Sequence, residues 1–329
     1  TLGIVAPSCP TETSSSPRIG EVRQFTERAS QVRIEKSQRK YELIYKNLLK
    51  EHSSVQRTDY RVGIAQIGVS KTSDILNEYY ELKADGFLGL RYDKVEAVRS
   101  RVKSMIEFAQ REGVNILLFP EMTIDLNHKE LLEEITHLAK IHGMYIIPGS
   151  YHDDNTKQNL CVVVGPDGIL WNQEKHIPAT IHYKGERFTE GIGVGILPRR
   201  TIVCDTMFGR IAIVICRDFL DMDLRVELKN FEPPVDIVFN PAFTPVTADF
   251  KAAHFDARRS IYAYCFFANV AEFGDSLIYT PEKERIERSL PPKEEGIIYK
   301  DVHLFQLRSE RKKWEKRQEK QRSFIQSTR

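Results

Sequence analysis

Apolar residues recur along this chain with two different periods, and the change of period marks its elements. Residues 61–69 (RVGIAQIGV), 115–119 and 145–148 carry short dense apolar runs, which predicts buried strands. Between them, residues 93–112 repeat Val95, Val98, Val102, Met105, Ile106 and Ala109 at helical spacing and stop at Gly113. Lys129–His142 does the same with Leu131, Leu132, Ile135, Leu138 and Ile141. Residues 160–164 and 169–171 flank Gly165-Pro166-Asp167-Gly168 and predict a hairpin, as do 201–204 and 211–215 around Gly209. A strand over 235–240, a helix over 249–263, a strand over 264–270 and a last strand over 296–302 complete the pattern. Strands alternating with helices and hairpins predict an α/β domain with mixed sheets and outer helices.

The pattern weakens at both ends. Residues 1–19 are poor in large apolar side chains and carry Thr-Ser-Ser-Ser-Pro at 13–17, the composition of a flexible linker. Residues 20–59 read as an N-terminal helical extension, with Val22, Phe25, Ala29 and Val32, then Leu43, Ile44, Leu48 and Leu49 at helical spacing. The main domain is expected over 60–305 and a basic helix or tail over 306–329, where residues 307–329 hold nine Lys or Arg against three Glu. The connection at 70–92, rich in Tyr, Leu and Gly, leaves the C-terminal end of the first strand. It is expected to be a lid or a substrate-specificity loop, the alternative being a decoration at an oligomer edge.

Composition narrows the function classes. The chain is 41% hydrophobic and 29% charged, ordinary for a soluble globular protein, and its formal charge of +2 gives no argument for nucleic acid. No apolar run reaches the roughly 18–20 residues that span a bilayer, and no signal-peptide core is seen near residue 1, so no membrane contact is expected. The five cysteines are few, odd in number and mostly inside apolar runs, which predicts thiols in a reducing, cytoplasmic setting. Without CxxC, HExxH, GxGxxG or Walker A sequences, no metal or cofactor is expected.

One stretch carries chemistry. The apolar run 211–215 ends abruptly in Cys216-Arg217-Asp218, and residues 219–230 read as a helix that Asp218 would cap. Cys216 would then sit at a strand-to-helix turn, where a helix N-terminus favours the thiolate. Cys161, Cys204 and Cys265 lie mid-strand and read as core. Two further polar residues follow strand ends, Glu121 after the run ILLF and Lys175 after the first hairpin. Chemistry gathers at such ends in α/β folds.

Phe119-Pro120-Glu121-Met122, Glu174-Lys175-His176-Ile177 and Ile215-Cys216-Arg217-Asp218 resemble the three catalytic motifs of the nitrilase, or carbon–nitrogen hydrolase, superfamily. They occur in its order, 54 and 41 residues apart. Segments 61–69, 235–242 and 256–274 are similar to its other strand and helix–strand segments. The resemblance spans about residues 60–305 and implies an α-β-β-α sandwich, a small amide-type substrate, and homo-oligomers. It implies a thioester on Cys216, Glu121 as acid–base, and Lys175 with the backbone N–H of Arg217 holding the oxyanion. His176 would orient the lysine loop. The family's second glutamate is assigned to Glu186, with Glu190 read as a solvated turn residue. Residues His254 and Arg258 could reach the cleft, although a surface salt bridge is the simpler expectation. Phe243-Thr244-Pro245 stands where many members carry a tryptophan. A rival reading is an effector or interaction module of a larger protein, as in some bacterial defence reverse transcriptases. There the N-terminal helices and basic tail would contact nucleic acid or a partner protein.

Overall fold

The computed structural model describes residues 39–52, 54–193, 197–282 and 288–327. The expected linker over 1–19 and residues 20–38 of the expected helical extension lie outside the described residues. Lys40–Arg329 makes one compact unit.

Two mixed seven-stranded sheets form its centre. The first runs, strand by strand, Tyr41–Asn47, Arg199–Thr206, Gly209–Ile213, Ile237–Ala242, Tyr264–Asn269, Ser276–Tyr279, Arg288–Leu290. The second runs Gly296–His303, Asp59–Gln66, Ile116–Leu118, Tyr145–Ile147, Gln158–Gly165, Ser150–Asp153, and Gly168–Glu174 also pairs with Gln158–Gly165. In the second sheet the period of two divides the side chains between two cores. Val62, Ile64, Ile116, Leu118, Cys161 and Val163 face the first sheet, packing with Ile211, Ile213, Phe239 and Phe266. Ala65, Leu117, Ile146, Val162 and Val164 face the opposite way, onto the apolar stripes of helices Val95–Arg111 and Lys129–His142. Helices Met222–Asn230 and Thr247–Ser260 cover the first sheet. The result is the expected α-β-β-α order. No helix among the described residues is long and apolar enough to cross a membrane.

Two sequence expectations are corrected. Residues 41–47 are a strand rather than part of a helix, and the compact unit begins near residue 40 rather than 60. Tyr41–Asn47 lies parallel to Arg199–Thr206 in continuous register, Tyr41 opposite Arg199 and Asn47 opposite Asp205. The edge of that distant strand outweighs local helical spacing, and Tyr41 is fully buried against it. Only Leu48–Glu51 is helical there, capped by Asn47. Second, residues 216–230 are two elements. Cys216–Leu220 is a 3-10 turn, and the helix Met222–Asn230 is capped by Asp221, whose side chain accepts from the Asp223 N–H. Asp218 is therefore not the cap, and Cys216 has no helix N-terminus behind it. The basic C-terminal segment, expected as a helix or tail, forms helix Leu304–Ser327, and its start is docked. Leu304, Leu307 and Arg311 are buried, and Arg308 and Arg311 pair with the buried Asp236.

Candidate active site

The second sheet delivers its polar residues at strand ends. Strand Ile116–Leu118 continues into Pro120-Glu121, which passes directly over Gly149. A Cβ at Gly149 would lie 1.8 Å from the Pro120 carbonyl oxygen, so the approach needs a glycine. Met122 (φ 63°) and Cys216 (φ 45°) both hold left-handed backbone beside the site. Non-glycine residues adopt this at a cost of order 1–3 kcal/mol, a local strain typical of functional turns.

Lys175 bridges two carboxylates. Its Nζ lies 2.9 Å from Glu121 Oε1 and 2.7 Å from Glu190 Oε2, and all three residues are buried. The Asn159 amide makes a second bridge, donating to Glu121 Oε1 at 2.9 Å and to Glu190 Oε1 at 2.7 Å. Glu190 also accepts from the Ala179 backbone N–H at 2.9 Å and meets His152 Nε2 at 2.7 Å. Because the Leu88 backbone N–H donates to His152 Nδ1 at 2.8 Å, Nε2 carries the ring proton and donates to Glu190. The Phe243 backbone N–H donates to Glu121 Oε2 at 3.0 Å. Buried charge is tolerable here because the carboxylates are paired several times over.

Cys216 completes the group. Its thiol lies close enough to Glu121, to the Phe243 backbone N–H and to Lys175 for all three to act on it. Burial and the Glu121 charge push the thiol well above its ordinary value, and Lys175 offsets only part of this. The helix-favoured thiolate expected from sequence is thus replaced by a sulfur held towards its protonated form beside a carboxylate. Burial opposes the charge on Lys175, yet Glu121 and Glu190 outweigh it and hold the ammonium well above its usual range. Glu190 shows the same balance in reverse. Burial favours its neutral form, but Lys175, His152 and Asn159 keep it well below the usual carboxylate range.

The other expected residues fall in different positions. Glu186 is exposed, opposite Tyr183 just beyond the turn of hairpin Thr180–Tyr183/Glu186–Thr189, and takes no part in the cluster. Glu190, one residue past that hairpin, is the second buried glutamate, so the assignment to Glu186 and the solvated reading of Glu190 are both corrected. The Arg217 side chain is exposed, and its backbone follows Cys216 on the turn. His176 lies against Tyr41, with Nε2 2.9 Å from the Arg200 carbonyl oxygen. Burial lowers the His176 ring to about 4. Its backbone N–H and that of Ile177 donate to Asp218 at 2.8 Å, which ties the lysine loop to the cysteine turn. Burial pushes Asp218 up to about 7 against those two donors. His254 and Arg258 are at neither the cleft nor the surface. His254 is fully buried, stacked on Phe219 at 3.9 Å and bonded to Asn240, whose amide donates to the Val214 and Cys216 carbonyls. Arg258 is buried and donates to the Thr280 carbonyl.

Glu121, Lys175, Glu190 and His152 line a cavity of about 220 Å³. Cys216 does not line it but lies against two residues that do, Glu121 and Phe243. Sequence reasoning missed His152 and Asn159. They stand opposite each other on neighbouring antiparallel strands, and two polar residues facing one way at the ends of apolar runs were the available signal.

Residues 78–312 match the family model described as carbon-nitrogen hydrolase. Among solved structures, the chain is similar to the C. elegans NitFhit protein, with 18% identity and a TM-score of 0.58. That match covers 78% of this chain and 64% of NitFhit, so the chain spans less than two thirds of that protein. Saccharomyces cerevisiae Nit3, a member of branch 10 of the nitrilase superfamily, is 16% identical at a TM-score of 0.56, covering 79% and 96% of the two chains. An amidase from Nesterenkonia sp. is 12% identical at 0.55, covering 80% and 98%. These likenesses carry the fold. No curated protein matches the chain by sequence.

Proposed function

The chain belongs to the carbon–nitrogen hydrolase family, and from that premise we propose that it hydrolyses a nonpeptide amide-type bond through a thioester on Cys216. The observation that carries this reading is the position of one carboxylate, Glu121, bonded to the Lys175 ammonium and close enough to the Cys216 thiol to act on it.

Each step follows from those contacts. The sulfur attacks the carbonyl carbon while its proton passes to Glu121, which is needed because the buried thiol does not ionise alone. The carbonyl oxygen becomes an oxyanion. Lys175 has three N–H bonds, two of them directed at Glu121 and Glu190 among the described residues, which leaves one for that oxygen. The backbone N–H of Arg217 is the second donor in this reading. One such donor is worth about 3–4 kcal/mol of transition-state stabilisation. Glu121 then returns its proton to the leaving nitrogen, and ammonia or an amine departs. Water attacks the thioester, with Glu121 accepting its proton, and the acid is released. Glu190 fixes Lys175 from the far side, and His152 and Asn159 fix Glu190.

Intact-mass detection after incubation with primary amides tests the reading. A thioester adduct is expected on the native protein and none on Cys216→Ala, whose ammonia release falls to the uncatalysed level. Full activity of Cys216→Ala would overturn it.

A further inference from the structure

The remainder of the cavity is built unlike its reactive end, and this deepens the preceding reading by naming the acyl group. Leu76, Leu88, Met122, Ile181, Phe243 and Phe273 form the wall facing Glu121 and Lys175. Phe243 packs edge-on against both Phe273 and Tyr80, so the aromatic part is fixed. Leu76 and Leu88 come from the 70–92 connection, which is tied down at several points. The Tyr80 hydroxyl donates to the Met122 carbonyl at 2.9 Å, the Leu90 N–H to Asp125 at 2.9 Å, and the Leu88 N–H to His152. Phe87 is buried and stacks on His152 at 4.6 Å, and a Cβ at Gly191 would lie 1.9 Å from the Asp85 carbonyl oxygen. The connection is a packed wall of the cavity.

Charge decides what this wall accepts. Among the described lining residues the only Lys or Arg is Lys175, already held between Glu121 and Glu190. A carboxylate on the acyl group would lose its water, meet no lysine or arginine beyond the paired Lys175, and stand near two carboxylates. An ammonium would be buried against leucine and phenylalanine, and the Glu121 and Glu190 oxygens already accept from Lys175, Asn159, His152, Ala179 and Phe243. A volume of about 220 Å³ holds on the order of seven waters, more than a formyl or acetyl group fills.

We propose that the cavity selects amides whose acyl group is uncharged and apolar, a branched aliphatic chain or an aromatic ring, and rejects those bearing a carboxylate or an ammonium. The test compares phenylacetamide and 4-methylpentanamide with succinamate and 4-aminobutanamide. Turnover is read as ammonia release by the native protein, and binding is read separately by calorimetry on Cys216→Ala. The apolar amides are expected to lead by at least about 100-fold in kcat/KM, and in affinity for Cys216→Ala. Charged amides within tenfold of the apolar ones in affinity would overturn the proposal. Apolar preference in binding without any turnover would uphold the proposal and defeat the thioester reading. Leu76→Arg adds a cation to the half-buried part of the wall and is expected to shift the succinamate-to-phenylacetamide ratio at least tenfold towards succinamate. An unchanged ratio would count against the wall's role. The native comparison needs no variant and decides the question even if Leu76→Arg does not fold.

Discussion

On one side of the cavity Glu121, Lys175, Asn159, Glu190 and His152 are joined by hydrogen bonds of 2.7–2.9 Å. On the other, the side chains of Leu76, Leu88, Phe243 and Phe273 meet the cavity through packing alone. The polar side is a closed network in which removing one member strands a buried charge. The apolar side is a contact surface, and losing part of it costs only the area lost. In the proposed reading the difference separates reaction from selection: the first side should respond to substitution all at once, the second by degrees.

The sharpest way to break this contrast is Lys175→Met. It leaves Glu121 and Glu190 facing each other without a cation, so activity should disappear and denaturant unfolding should show a loss of about 3–5 kcal/mol. A variant as stable as the native protein would show that the network is not held by its ammonium. Next come the two hairpin glutamates. Glu190→Gln should lower kcat at least about 100-fold by loosening Lys175, because small misplacements of a reacting group are costly. Glu186→Gln should stay within about twofold of native, and the reverse ranking would restore the assignment from sequence.

A pH measurement probes the support behind the cysteine turn. Burial lowers His254 to about 3, against an ordinary value near 6.5 in the unfolded chain. Between those values the unfolded chain binds one more proton than the native protein. The stability associated with neutral His254 is therefore complete above about pH 6.5 and is lost as pH falls towards 3. Over that window His254→Gln, which can still donate to Asn240, should flatten the pH dependence of unfolding by about 1.4 kcal/mol per pH unit. Equal slopes would place His254 in contact with solvent. A graded effect belongs to the apolar side. Leu76→Ala should lower kcat/KM for apolar amides by about three- to tenfold, mostly through KM, with kcat nearly unchanged. A collapse of kcat would mean that the wall takes part in the chemistry.

Much of this was legible in the sequence, for physical reasons that can be named. The helices Val95–Arg111 and Lys129–His142 and the buried strands were visible because apolar period and burial coincide in them. Glu121 and Cys216 were visible because each follows an apolar run at a strand end, and Lys175 because it follows the first hairpin. Glu190 was obscured by its neighbour. Both glutamates border the strand Glu186–Thr189, and only tertiary contact with Ala179 and Lys175 determines which end re-enters the protein. Strand Tyr41–Asn47 was obscured because Leu43, Ile44, Leu48 and Leu49 fit a helix locally, while its partner strand lies about 160 residues away. The thiolate expected at Cys216 failed with the helix that was to support it, which begins six residues later at Met222.

That strand has a practical consequence for anyone preparing the protein. Kinship with the family suggests trimming to residue 60 or 78, and either cut keeps Glu121, Lys175, Glu190 and Cys216. Either cut also bares the flank of Arg199–Thr206 along seven paired positions and removes Tyr41 from beside His176. A bare strand flank recruits other strands. The shortened chain should therefore associate or precipitate with every reactive group intact, and light scattering on the two lengths would show it.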